Sequence, residues 1–227
     1  GLDFERILEE VAAVVDPHRV ATVAVTHEHL DHVNGLPKWK SLGAKVAASR
    51  GAADKLARGR DPTSEMFGGR IPELTVDRVL DDEEDLALGG APFRCLAVPG
   101  HSPGSMVYWS EATGTLFSGD TLFAQGGIGR FDFPDGDLRL LDATVKRLGK
   151  LPVRALHCGH GPSVEGEAAA RSVAATSGWF RCRRTRPRSS SGGSPPSAMS
   201  CRSIPTRRWC RPPSNSVVRT VPLERSS

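Results

Sequence analysis

The sequence predicts an α/β protein over residues 1–176, built in layers with helices outside strands. Short apolar, β-branched runs alternate with segments of helical periodicity, glycine and proline punctuate them, and no segment repeats. With 38% apolar and 25% charged residues in 227, the composition suits a soluble chain that buries a core. No run reaches the roughly 18 consecutive apolar residues of a membrane span, and Gly1-Leu2-Asp3-Phe4-Glu5-Arg6 lacks the pattern of a secretory leader. A cytoplasmic protein with no membrane partner is expected.

Phe4, Ile7, Leu8, Val11, Val14 and Val15 recur at helical spacing behind Asp3 at the N-cap, predicting a first helix closed by Asp16-Pro17. Residues 21–25 form a short apolar run that reads as a buried strand leading into Thr26-His27, and residues 45–48 a second. Residues 92–98 give a strand stopped by Pro99-Gly100. Residues 106–109 and 115–118 flank the turn Glu111-Ala112-Thr113-Gly114 as a hairpin. Leu138, Leu141, Val145 and Leu148 make a helix face with Gly149 as its stop. Residues 153–157 read as the last strand and 165–175 as the last helix.

Composition breaks near residue 176. Residues 1–176 hold 25 acids against 19 bases, whereas residues 177–227 hold Glu224 alone against 11 arginines, with twelve serines and seven prolines. The expected organisation is therefore a domain over 1–176 and a basic tail over 177–227. A disordered extension suits that tail best, because it has too little apolar surface to offset its ordering entropy. A nucleic-acid arm built on Arg181, Arg183, Arg184, Arg186 and Arg188 is a weaker reading, since Trp179 and Phe180 are the only aromatics near them. An out-of-frame read of a GC-rich gene is a third. The five cysteines form no C-x-x-C pair, which suits a reduced compartment and suggests neither disulfides nor a structural zinc module.

The chemistry concentrates in His27-Glu28-His29-Leu30-Asp31-His32, directly after the first predicted strand. In extended chain, residues two apart share a side, so His27 and His29 can aim at one point, while Asp31 and His32 must turn toward a second. One histidine alone is more often a satisfied polar residue; this cluster implies metal. Three further ligand-type residues follow predicted strands beside glycine: His101 in Pro99-Gly100-His101, Asp120 in Gly119-Asp120-Thr121, and His160 in Gly159-His160-Gly161. Together the seven can make a two-metal site.

These motifs, H-x-H-x-D-H and then a distant His, Asp and His, resemble those of the metallo-β-lactamase superfamily from about residue 20 to residue 170. The resemblance implies an αββα sandwich, here expected to lack its N-terminal strands and so to leave a sheet edge open. It implies a first metal held by His27, His29 and His101, a second by Asp31, His32 and His160, and Asp120 bridging. His18, His157 and Cys158 match no ligand position. Gly119-Asp120-Thr121-Leu122-Phe123 and residues 129–134 are similar to those of short glyoxalase II-like thioesterases, and the middle segment also to persulfide dioxygenases. Full-length glyoxalase II usually continues from its last metal histidine with Glu and Tyr; here Gly161-Pro162 follow.

Two divalent ions, zinc first and iron or manganese also compatible with N/O ligands, would lower the pKa of a shared water to about 7 and polarise a carbonyl. The expected function is hydrolysis of a small-molecule thioester by metal-bound hydroxide, with Asp31 orienting the water and taking its proton. The alternatives are a mononuclear iron, persulfide dioxygenase-like enzyme using His27, His101 and Asp120, and an inactive truncated product. Nucleic acid is not expected as a partner, because the metal-bearing part is acidic. Arg130 and Asp132 read as a structural ion pair, and residues 58–70, which should shape the pocket, carry no informative pattern.

Overall fold

The computed structural model describes residues 2–176, so the basic tail and every reading of it lie outside the described residues. Side-chain alternation along the strands builds the layers. In β2 (Lys45–Ser49), Val46 and Ala48 join one buried cluster with Ala52 and Leu56, while Ala47 points the opposite way into another. In β6 (Met106–Ser110), Met106 and Tyr108 face that second cluster, and Val107 and Trp109 face a third with Leu141, Val145 and Leu148. The order is thus helices, sheet, sheet, helices, and the αββα sandwich expected from the motifs is the fold observed.

The smaller sheet has the order β1-β2-β3, all parallel, from β1 (Thr22–Ala24), β2 and β3 (Arg78–Leu80). The larger has the order β11-β10-β7-β6-β5-β4, from β4 (Asp85–Leu88), β5 (Ala91–Ala97), β6, β7 (Thr115–Gly119), β10 (Ala155–Cys158) and β11 (Val164–Glu165). Within it only β10 and β7 run parallel. A small ribbon pairs β8 (Leu122–Phe123) with β9 (Gly127–Ile128). The sheets are stitched together beside the site, where Met106 N donates to Thr26 O and Tyr108 Oη donates to Val25 O. β1 lies at the edge of the smaller sheet, and Thr22–Ala24, expected from their apolar run to be a buried strand, are only partly buried because an edge strand has a neighbour on one side alone.

Helices α6 (Leu138–Leu148) and α7 (Gly166–Thr176) cover the larger sheet through Leu141, Val145, Ala169 and Val173. The smaller sheet is covered by α2 (Leu30–Val33), α3 (Leu36–Ser41) and α4 (Arg50–Arg58), with α5 (Pro62–Met66) following. The first helix, α1 (Phe4–Ala12), starts at the expected Asp3 cap but stops before Val14 and Val15, which are exposed. Pro17 disfavours helical backbone at Asp16, which is extended, and the preceding turn tightens with Val14 N donating to Val11 O. Among the described residues no helix is long and apolar enough to cross a membrane.

Candidate metal centre

All seven residues singled out in the sequence meet at one rim of the sandwich. His27 and His29 follow β1 in extended chain and point to one side; α2 then begins, and its first turn swings Asp31 and His32 toward a second point. His101 follows β5 on a loop carried by α6, where Asp137 N donates to Gly100 O and Thr144 Oγ1 donates to Pro99 O. Asp120 directly follows β7, and His160 follows β10 after one glycine. Neighbouring β7 and β10 therefore deliver the last two groups to the same end of the sheet.

The side chains form two adjoining groups. His27, His29 and His101 are buried at 1%, 6% and 3% exposure, with His101 Nε2 3.0 Å from His29 Nδ1. Asp31, His32 and His160 lie nearer solvent: His160 Nε2 is 3.0 Å from Asp31 Oδ2, and His32 Nε2 is 3.3 Å from the same oxygen. Asp120 stands between them, Oδ1 3.4 Å from His32 Nε2 and Oδ2 3.8 Å from His101 Nε2. Its Oδ2 also lies 3.4 Å from His160 Nε2.

Three features of the donors suit a cation. The buried Nε2 of His27 and Oδ1 of Asp120 make no hydrogen bond, a costly arrangement unless something else satisfies them. His101 Nδ1 lies 2.7 Å from the Arg130 carbonyl, which can only accept, so neutral His101 carries its proton there and turns the lone pair of Nε2 into the cluster. Two imidazole nitrogens 3.0 Å apart also need a shared proton or a shared cation. Burial, then the neighbouring imidazoles, push His27 well below its ordinary range and His29 down to about 4; burial likewise lowers His101. The triad is thus kept neutral, as ligands must be. On the open side, the hydrogen bond to Asp31 raises His160, and Asp31 is held far below the usual carboxylate range by His160 and His32 despite its burial.

Gly159 explains why glycine precedes His160. A Cβ there would lie 2.2 Å from Asp120 Oδ1 and 2.9 Å from His32 Cε1, so the backbone fills space a side chain would need. His18 is exposed, and His157 stacks on Phe117 with Nδ1 3.0 Å from Ser163 Oγ, so both stay outside the cluster, as does Cys158. Arg130 and Asp132 do form the expected ion pair, with two hydrogen bonds of 2.9 and 2.8 Å.

Phe133 belongs to the motif segment 129–134, which by itself assigns the ring no place. Its ring stands 5.8 Å from His29 and 5.9 Å from His101, with the Arg130 guanidinium 4.3 Å above it and the exposed Phe67 5.7 Å away. Only the third dimension makes these two aromatics neighbours. Glu28, a carboxylate between the two metal-type histidines of the motif, is fully buried.

The chain matches the sequence profile of the metallo-beta-lactamase superfamily over residues 1–160. It is 37% identical over 142 residues to a hydroxyacylglutathione hydrolase of Pseudomonas putida (strain W619), covering 61% of this chain and 46% of that protein. It is 32% identical over 149 residues to hydroxyacylglutathione hydrolase GloC of Haemophilus influenzae, covering 64% and 69%. The chain therefore spans about half the length of the Pseudomonas putida relatives it matches. Among solved structures it is similar to the di-iron-bound form of TTHA1623, with TM-score 0.59 and 32% identity, covering 76% of this chain and 83% of that one. BLEG-1, a B3 metallo-beta-lactamase, gives TM-score 0.61 and 30% identity, covering 72% and 79%. Profile, relatives and fold agree, and the chain belongs to the metallo-beta-lactamase superfamily.

Proposed function

We propose that this metallo-hydrolase cleaves small thioesters with two divalent ions, zinc first and iron or manganese as substitutes. His27, His29 and His101 would hold one ion and Asp31, His32 and His160 the other, with Asp120 reaching both. The observation that carries this reading is the pair of adjoining donor groups with Asp120 between them. When bound, such ions act as Lewis acids toward a carbonyl oxygen and make water a better nucleophile.

The chain's own residues supply the rest. Asp31, with Oδ2 against His32 and His160 and lying on the solvent side, would align a water, and as a carboxylate held this low it would orient that water rather than keep its proton. Phe133 shields His29 and His101 from bulk water, and with exposed Phe67 it offers an apolar wall for an acyl group. Names among the relatives support a thioester as substrate class, since those of Pseudomonas putida and Haemophilus influenzae are hydroxyacylglutathione hydrolases. The di-iron form of TTHA1623 keeps iron open as the metal. Among the described residues Cys95 and Cys158 are unpaired, which suits a reducing, cytoplasmic compartment.

The persulfide dioxygenase-like alternative needs one ion only and gives Asp31, His32 and His160 no shared task, which is why the hydrolase is preferred. The test is metal content of the purified chain together with turnover of acyl-glutathione and simpler acyl thioesters. Two ions per chain and thiol release are expected. One iron per chain with sulfur oxidation and no thiol release would replace the proposal with the alternative.

A further inference from the structure

Lys55 on α4 is the hub of a buried charge cluster directly behind the histidine triad. Its Nζ lies 3.0 Å from Glu28 Oε1, 2.8 Å from Asp61 Oδ1 and 2.7 Å from Asp135 Oδ2. The side chains of Glu28 and Asp61 have no solvent exposure. Glu28 sits between His27 and His29, and its far oxygen accepts from Ser102 Oγ, next to His101, while its near oxygen accepts from Gly104 N. Glycine is required at 104, where a Cβ would lie 2.3 Å from Glu28 Oε2. Asp61 caps α5 and accepts from Ser64 N and Ser64 Oγ; Ser64 Oγ in turn accepts from Leu30 N, at the start of the turn bearing Asp31 and His32. Asp135 lies two residues beyond Phe133.

One ammonium therefore ties together the segments that carry His27 and His29, His101, Asp31 and His32, and Phe133. Burying ions is costly, and an apolar replacement of a buried pair is often as stable or more so, so stability alone gives little reason for such a cluster. Its carboxylates outnumber its ammonium, leaving negative charge behind a site whose first donor group is three neutral imidazoles. We propose that Lys55, Glu28, Asp61 and Asp135 are positioning residues: they fix the spacing of His29 and His101 for a cation, supply its buried counter-charge, and couple that spacing to the Phe133 loop. Against burial, which would lower it, Glu28, Asp135 and Asp61 hold the Lys55 ammonium above its ordinary range, keeping the hub charged.

The inference rests on the metal-centre reading, and metal binding tests it without reference to substrate. Zn²⁺ affinity by chelator competition, the Co²⁺ absorption spectrum and the melting temperature without metal are measured for the full chain and for Glu28→Gln and Asp135→Asn. Glu28→Gln is isosteric; Asp135→Asn alters the more exposed end of the cluster, where folding is safest. Loss of a group hydrogen-bonded directly to a metal ligand typically weakens metal binding about ten- to hundredfold. Glu28 acts one step further out, through Ser102 and Gly104, so Glu28→Gln is expected near the lower end of that range with a changed Co²⁺ spectrum, and Asp135→Asn below it. Wild-type affinity and an unchanged spectrum in both variants would overturn the inference alone, even with a lowered melting temperature, because the cluster would then be merely structural. A wild-type chain binding neither ion would overturn the metal reading and this inference together.

Discussion

Acidification of the metal-free protein is the most direct test of the triad's electrostatics. His29 takes up its proton with an ordinary pKa of 6.5 when unfolded and of about 4 when folded. Between those values the unfolded chain binds more protons, so stability is full above pH 6.5 and drains away as pH falls through the folded value. At about 1.4 kcal/mol per pH unit, that interval costs about 3 kcal/mol for His29 alone. His27 and His101 are lowered too and act in the same sense. His160 is raised, so its stabilisation is fully present below pH 6.5 and lost as pH rises through its folded value; with 56% of its side chain exposed, solvent screens this opposing effect. Asp31 is lowered below the usual carboxylate range, and its contribution is lost only at pH values under this window. The assay is urea unfolding of chelator-treated protein by circular dichroism from pH 7 to pH 4.5. With slopes of about 1–3 kcal/mol/M, the midpoint should fall by about 1 M or more. Bound metal should defend the fold until protons outcompete it. A midpoint constant from pH 7 to pH 5, or a His29→Gln variant with the wild-type slope, would refute the reasoning.

Asp120→Asn keeps the shape but loses the charge shared by the two groups, so metal content should fall and thioester turnover drop about a hundredfold or more; full metal and rate would return Asp120 to a structural role. Gly159→Ala places a methyl group against Asp120 Oδ1 and His32, and displacing both should cost about a hundredfold in turnover with lower metal content. Unchanged metal stoichiometry and rate in that variant would show that the backbone can yield there. Leu141→Ala opens a cavity under the His101 loop in a fully buried position, so chemical denaturation should show a loss of about 2–5 kcal/mol. A loss under 1 kcal/mol would mean that α6 collapses onto the gap.

The sequence by itself determined the layers and the seven-residue cluster. Long periodic faces such as Leu141, Val145 and Leu148 bury by their own pattern, and residues two apart in extended chain must share a side. Those signals are local and survive without knowledge of partners. Other elements left weaker traces: β3 and β4 are three and four residues long, and α4 buries only Ala52, Ala53 and Leu56 in an otherwise polar stretch. Residues 58–70, without pattern in sequence, proved to hold Asp61 and Phe67, whose roles come from what they touch. Tertiary structure alone decided that Lys55 meets Glu28, Asp61 and Asp135, that Phe133 stands over the histidines, and that Asp120 falls between two donor groups. Those relations join positions tens of residues apart. Charge pairing and close packing depend on distance in space, which periodicity along the chain does not encode.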